Sequence, residues 1–250
     1  MYAPNVERLL ELIQPDDVVL DIGGWACPFN RANFVLDAQP YDTRGAYALF
    51  GGPRSQGGDA EFFRADTWIV RDICEKTPYP FADKSIDWVI CSHTLEDVRD
   101  PLWVCQEMTR IAKRGYIEVP SREAESSRGW ELPNLAGLSH HRWLIDIDPG
   151  RSHIDFLMKF HRIHTWRLSL PAAYLRDLPP EAHVQWLFWT DGFTYAERTI
   201  HGVDKVDQEL ARFVAAKRPY PPMRRAVGRL ADLVRTSVVR LARMRGNPRA

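Results

Sequence analysis

Hydrophobic positions recur along this chain at two periods, and the alternation between them sets out its elements. In "PNVERLLELI" Val6, Leu9, Leu10 and Ile13 fall at helical spacing and predict an opening amphipathic helix. "DDVVLDIGG" places Val18, Val19, Leu20 and Ile22 between Pro15 and the pair Gly23 and Gly24, which reads as a strand ending in a glycine turn. "ANFVLDAQP" is a second strand, closed by Asp37 and Pro40. "GAYALFGGPRSQGGDAEF" is too glycine-rich for a regular element and is expected to be a mobile, functional loop. "TWIVRDI" resumes a strand, and "SIDWVICS" is the continuous apolar run of a parallel sheet covered on both faces. "PLWVCQEMTRIAK" sets Leu102, Cys105, Met108 and Ile111 or Ala112 on one helical face, and "GYIEVPS" is a fifth strand stopped by Pro120. Strands alternating with helices predict an α/β fold with a doubly wound, mostly parallel sheet.

After Trp130 the pattern changes. "HHRWLIDIDPGRSHIDFLMKF" predicts two strands around Pro149 and Gly150, and "HVQWLFWTDGFTYAERT" two more around Asp191 and Gly192, a favoured hairpin turn. Antiparallel hairpin strands are therefore expected in the second half. Past Pro219, Pro221 and Pro222, Val227, Leu230, Ala231, Val234, Val238 and Leu241 recur at three- and four-residue steps, which predicts a C-terminal amphipathic helix. The expected division is a domain over residues 1–216 and a helical tail over 217–250.

Charge sharpens that division. The formal net charge is zero, but from Lys217 to Ala250 ten Lys/Arg face the single Asp232, leaving 23 basic and 32 acidic residues before them. The body is thus about −9 and the tail about +9. Cys27, Cys74, Cys91 and Cys105 form no C-x-x-C pair, and three of them lie in or beside apolar stretches, so neither disulfides nor a structural zinc site is expected. The N-terminal segment has no basic leader, and no run reaches the roughly 20 apolar residues of a membrane span. A cytoplasmic protein without a membrane span is the expectation.

An open α/β sheet leaves a crevice at the carboxyl ends of its strands, where this chain places Asp21 to Trp25, Asp37, Asp72 and the pair Ser92 and His93. Backbone amides of a glycine turn approach a ligand closely, and an acid ending the second strand is placed to accept hydrogen bonds from a ribose diol. Singly, each feature is equally a turn or a helix cap; together they describe a nucleoside site.

In these residues the chain resembles the class I S-adenosylmethionine-dependent methyltransferases, over roughly its first half. "VLDIGGWACPF" is similar to their first motif and "FVLD" to their second. "RDICEKTPYPFADKSIDWVICSHTLEDVRDPLWVCQEMTRIAKRGYIEVPS" resembles the stretch from the adenine-contacting acid to the fifth strand. The resemblance implies a Rossmann-like fold and S-adenosylmethionine as cofactor. It implies Asp21, Gly23 and Gly24 near the methionine moiety, Asp37 at the ribose, Asp72 and Ile73 near adenine, and Ser92 and His93 beneath the sulfonium. The chain departs from the family in its turn, where Trp25 stands in place of a further glycine: Trp25 either walls the pocket and stacks on the cofactor or sugar, or packs in the core. "DIGGWACPFNRANFVLDAQPYDTRG" is similar to a bacterial branch that methylates polysaccharide precursors, including mannose oligosaccharides, which implies a carbohydrate acceptor.

A hydroxyl acceptor loses a proton on methylation, and histidine is the natural base at neutral pH. His140 and His141, in "GLSHHRWLID", are the candidates, with Glu118 and Glu96 as rivals; adjacent residues of an extended segment point opposite ways, so one of the two histidines is expected to serve. "LEDVRD" offers Glu96, Asp97 and Asp100 to a Mg²⁺ ion, though the run reads better as the polar cap of the next helix. No residue is assigned as a metal ligand. Trp130, Trp143, Trp166, Trp186 and Trp189 crowd the second half; most are expected in the core, and flat rings also suit sugar faces. The basic tail could meet an anionic membrane surface, nucleic acid or an acidic body; packing against the protein's own body or a homodimer partner is the expectation, and nucleic acid is disfavoured because the cleft segments are rich in Asp and Glu. The expectation is an O-methyltransferase for a carbohydrate hydroxyl, against two alternatives: a non-catalytic methyltransferase-like scaffold, and a nucleic-acid methyltransferase recruited by the tail.

Overall fold

A computed structural model of the chain describes residues 1–217 together with residues 230, 233, 234 and 237. The rest of the expected basic tail lies outside the described residues. The chain divides into two compact units: Met1–Pro120, Ile145–Phe156 and Val184–Glu197 form the first, and Ser121–Leu144, Leu157–His183 and Arg198–Ala250 the second.

In chain order the elements are α1 (Ala3–Leu12), β1 (Val19–Ile22), β2 (Phe34–Asp37), β3 (Trp68–Val70), β4 (Ile86–Ser92), α2 (Pro101–Ile111) and β5 (Ala112–Pro120). They continue with α3 (Arg122–Glu125), β6 (Trp143–Asp148), β7 (His153–Met158), α4 (Ala172–Asp177), β8 (Val184–Thr190), β9 (Thr194–Glu197) and α5 (Val203–Ala216). One sheet runs β3-β2-β1-β4-β5-β8. Its first five strands are parallel and β8 is antiparallel to β5. This is the mainly parallel α/β sheet of a Rossmann-like class I methyltransferase fold. The chain leaves β1 for β2 on one side and returns to β4 on the other, which makes the carboxyl edge of β1 and β4 the switch point where such sheets bind ligands.

The elements follow from the sequence, with two departures. All four residues of β1 are buried and β4 is nearly so, as continuous apolar strands covered on both faces should be. Pro101 opens α2 behind Asp100, whose side chain accepts from Trp103 N–H at 3.0 Å, so Asp100 is the cap the sequence suggested. The helix stops at Ile111 because Ala112 already pairs with Ile86 in the sheet.

The first departure is the link from β1 to β2, residues 23–33, which among the described residues carries no helix. Polar ties shape it instead. Asn33 exchanges two hydrogen bonds of 2.8 Å with Val19, and the Arg31 guanidinium donates to the carbonyls of Gln14, Pro15 and Asp17. Fully buried Phe29 fills the space beside the sheet, in a core with Leu9, Val35, Phe63, Trp88 and Ile90.

The second departure corrects the hairpin expected at Asp191 and Gly192. Strands β8 and β9 do not pair with each other: β8 joins β5, while β9 lies parallel to β7 in a sheet of order β6-β7-β9. A two-residue hairpin of this kind needs both central residues near the left-handed helical region. Asp191 has φ 64°, but Gly192 has φ 146°, which carries the chain across to the other sheet.

The second unit has its own apolar core of Ala136, Leu144, Leu157, Ile163, Leu168, Val206 and Leu210. Cys74, Cys91 and Cys105 are buried, and all four cysteines are free.

Truncation should separate core from surface. Ile90→Ala, at a fully buried β4 position, should lower the unfolding free energy by about 2–5 kcal/mol in urea titration. Phe50→Ala, at a residue 86% exposed, should change it by about 0.5 kcal/mol or less.

Candidate functional site

At the end of β1 the turn is shaped by two contacts that only glycine permits. Gly23 has φ 77°, and a Cβ there would lie 2.3 Å from Thr94 Oγ1. A Cβ on Gly24 would lie 2.2 Å from Asp21 Oδ2. Asp21 is almost fully buried, and its Oδ2 accepts from Phe29 N–H at 2.8 Å. Burial pushes its carboxyl up to about 7 against the lowering effect of that hydrogen bond.

Strand β2 lies in register beside β1, with Ile22 opposite Leu36, and ends at Asp37. The Asp37 carboxylate accepts from Gln39 N–H at 2.8 Å and from Trp25 N–H at 3.1 Å, and burial raises its pKa. Trp25 is thereby fixed at its backbone. Its indole donates to Thr43 O and Oγ1 at 2.8 and 3.0 Å, and its ring packs against the core. The indole that replaces a glycine thus ties the turn to the segment after β2, and its carbonyl accepts from Gly45 N–H at 2.8 Å.

The carboxyl ends of β4 and β5 form a second group in the same unit. Ser92 is opposite Glu118 in the register. His93 follows with φ 52°, a conformation that non-glycine residues rarely hold without local support. The support is visible: His93 N–H donates to Glu118 O at 2.8 Å, its Nε2 lies 3.2 Å from Glu118 Oε1, and its Nδ1 lies 3.5 Å from Glu96 Oε1. Burial opposes charge on the ring, but Glu118 and Glu96 outweigh it and hold the pKa up to about 9. Fully buried Glu118 also accepts from Tyr2 N–H at 3.0 Å on each oxygen and from the Tyr116 hydroxyl. Burial raises its carboxyl, and His93 and Tyr116 more than reverse that, bringing it down to about 2. A carboxylate so engaged holds structure and does not take up a proton near neutrality, which corrects its candidacy as a base. Among the described residues, Ser92 Oγ and both oxygens of buried Glu96 have no hydrogen-bond partner.

Past the end of β3, Asp72 accepts from Cys74 N–H at 2.8 Å and pairs with Arg99, which lowers its pKa. Ile73 is buried, and its carbonyl accepts from the Tyr79 hydroxyl at 2.7 Å. Arg71 N–H donates to Asp37 O at 2.8 Å, so this segment runs on beside the end of β2.

The two candidate histidines, both in the second unit, separate, with His140 exposed and His141 buried. His141 Nδ1 lies 2.7 Å from Glu125 Oε1, and the other oxygen of Glu125 accepts from Lys159 Nζ at 2.6 Å. Lys159 Nζ also donates to Leu138 O at 2.7 Å. Burial raises the Glu125 carboxyl, and His141 and Lys159 overcome that and lower it. Sequence reasoning missed Glu125 and Lys159. A lysine inside the apolar run "FLMKF" was the available signal, since a lysine ending a buried strand needs an acidic partner.

Residues 54–117, about a quarter of the chain, match the methyltransferase domain family; the span takes in β3, β4, α2 and most of β5. No curated protein matches the sequence. Among solved structures, a methyltransferase in complex with a Haloferax volcanii methyltransferase activator is 22% identical, over 48% of this chain and 51% of that one, with a TM-score of 0.33. The S-adenosylmethionine-dependent methyltransferase of Mesorhizobium loti is 16% identical over 62% and 63% of the two chains, TM-score 0.32. Haemonchus contortus phosphoethanolamine N-methyltransferase 2, in complex with phosphomonomethylethanolamine and S-adenosylhomocysteine, is 14% identical over 47% and 28%, TM-score 0.32. The chain spans about half the length of the first solved structures it matches. The family match supports a class I S-adenosylmethionine-dependent methyltransferase domain.

The His93–Glu118 pair makes stability depend on pH at both ends. His93 is raised from 6.5 to about 9, so its contribution is complete below pH 6.5 and is lost as pH rises through about 9. Glu118 is lowered from 4.5 to about 2, so its contribution is present above pH 4.5 and is lost as pH falls towards 2. Thermal melts of the wild type and His93→Gln should therefore differ by roughly several °C at pH 6. The gap should narrow by pH 9.5; a gap independent of pH would refute the pairing.

Proposed function

We propose that the protein is an S-adenosylmethionine-dependent O-methyltransferase that methylates a hydroxyl of a carbohydrate, an oligo- or polysaccharide precursor. The observation that carries the reading is the buried Asp37 ending β2, bound to the backbone of the glycine turn that ends β1 at the sheet's switch point. In this reading Asp21, Gly23 and Gly24 hold the methionine moiety and Asp37 the ribose diol, with Trp25 walling that side. Asp72 and Ile73 take the adenine, and Ser92 and His93 lie beneath the sulfonium. The site offers such a ligand the buried Ser92 Oγ, which has no hydrogen-bond partner among the described residues, while the Glu96 carboxylate beside it faces His93.

When bound, the cofactor supplies a methyl group activated by a positive sulfur; the chain's part is to align the acceptor, exclude water and remove a proton. For the proton the reading uses His141. A carboxylate only accepts hydrogen bonds, so Glu125 orients the ring by taking the hydrogen of Nδ1. Half-buried Trp130 offers a flat apolar surface of the kind sugar faces stack on, whereas Trp166 carries the Arg128 guanidinium over its ring and Trp186 is stacked on Tyr2.

One observation favours a second reading, a scaffold that binds without turnover: both oxygens of Asp37 already accept backbone hydrogen bonds. Calorimetry separates the two. S-adenosylmethionine and S-adenosylhomocysteine should bind the wild type, and Asp37→Ala should weaken both by roughly tenfold or more through loss of charged hydrogen bonds. Absence of binding to well-folded protein would give the lead to the scaffold.

With a methylated-glycan precursor as acceptor, His141→Ala should lower kcat by roughly a hundredfold or more and leave cofactor affinity nearly unchanged. Glu125→Gln should lower kcat less and alter its pH profile. Full turnover in His141→Ala would remove this histidine from the mechanism.

A further inference from the structure

Helix α5 buries Val206 and Leu210 in the apolar core of the second unit, and Ile200, just before the helix, packs against the same core. Positions three, four and seven apart share one helix face, so Lys205, Gln208, Glu209 and Arg212 lie together on another face of α5. With residues 198–201 they line a pocket of about 400 Å³ inside the second unit, a size that holds a small molecule. The charges around it do not balance. In the sequence Glu209 is placed to serve both cations of its face, four residues after Lys205 and three before Arg212. The structure engages it elsewhere: its Oε1 accepts from Arg122 Nη2 at 2.8 Å and lies 3.1 Å from Arg198 Nη2. Asp207, the neighbouring acid, takes the Arg162 guanidinium, with Arg162 Nε donating at 2.6 Å. Among the described residues, exposed Lys205 and Arg212 are left with no acidic partner.

Two uncompensated cations lining one pocket call for an anion, and the donors indicate its kind. A guanidinium fork grips an oxyanion through paired hydrogen bonds and a lysine adds a point charge, a combination suited to phosphate. A phosphomonoester brings about two negative charges at neutral pH, enough for Lys205 and Arg212 together, where a carboxylate brings one. His201 lines the same pocket and offers a ring N–H in either tautomer. A nucleic acid would ask for cations in a row along its backbone, whereas these converge on one concavity. We infer that this pocket binds the phosphate of a small phosphomonoester. None of the residues assigned to the cofactor or to proton removal lines it.

Titration calorimetry of the full chain with glucose-1-phosphate, glucose and inorganic phosphate tests this. The two phosphates should bind, glucose should not, and both affinities should fall as salt is raised. Lys205→Gln combined with Arg212→Gln should weaken glucose-1-phosphate by roughly tenfold or more at an unchanged melting temperature. A charge-matched control, Arg64→Gln with Arg151→Gln, removes side chains 77% and 83% exposed and should leave that affinity within about twofold. No binding of either phosphate, binding that survives the double substitution, or an equal loss in the control would overturn the inference. So would inorganic phosphate that binds where glucose-1-phosphate does not, which restricts the pocket to a free anion. An RNA oligonucleotide that outcompetes glucose-1-phosphate and is lost with the same double substitution would assign the face to nucleic acid instead.

Discussion

A charge removed from water has to be paired, and in the first unit everything around Glu118 is arranged to meet that demand. Its carboxylate is fully buried in β5, with the Tyr2 amide at the start of α1, the Tyr116 hydroxyl and the His93 ring converging on it. These contacts tie the opening helix to the carboxyl edge of the sheet and hold His93 in a left-handed conformation just past β4. The imidazolium is thereby set between two carboxylates. Removing His93 would leave Glu118 and Glu96 buried without their shared counter-ion, so the strand ends are fixed together.

The turn after β1 obeys a different constraint. Where a helix usually follows such a turn, its N-terminus offers partial positive charge to phosphates. Here residues 23–33 make the crossing without one, and the turn's own amides are used within the protein, from Trp25 to Asp37 and from Phe29 to Asp21. A ligand held at this edge is therefore one that asks for carboxylates and close backbone approach, which suits a sulfonium, an amine and a ribose better than a pyrophosphate. Trp25 belongs to the same economy of contacts: a glycine in its place would lose the indole ties to Thr43 that fix the turn.

The fold was legible where hydrophobic period and punctuation agree. The apolar runs of β1, β2 and β5 end at Gly23, Asp37 and Pro120, and α2 begins at the proline the pattern points to. The partnership of β8 and β9 was not legible, because Asp191 and Gly192 promise a hairpin and the register is settled by pairing with β5 and β7. Of the site, the positions of Asp21, Asp37, Ser92 and His93 at strand ends followed from sequence, since strand ends are marked locally. What each carboxylate is bonded to did not follow. The partners of Glu118 are 116 and 25 residues away at Tyr2 and His93, and Lys159 is 34 residues from Glu125. Such separations leave no local signature.

The two histidine–glutamate pairs show how neighbours divide the roles of one side chain. His93 has two carboxylates beside it, so a positive ring lowers the energy of both, and the ring serves as counter-ion. Around Glu125 the balance is reversed. Glu125 is one carboxylate with two partners, Lys159 at 2.6 Å and His141 at 2.7 Å, where His93 is one ring with two carboxylates. A ring that keeps its lone pair at neutral pH accepts a proton from a hydroxyl, whereas one already charged does not. The proposed base, His141, is therefore positioned by Glu125, which Lys159 holds in turn.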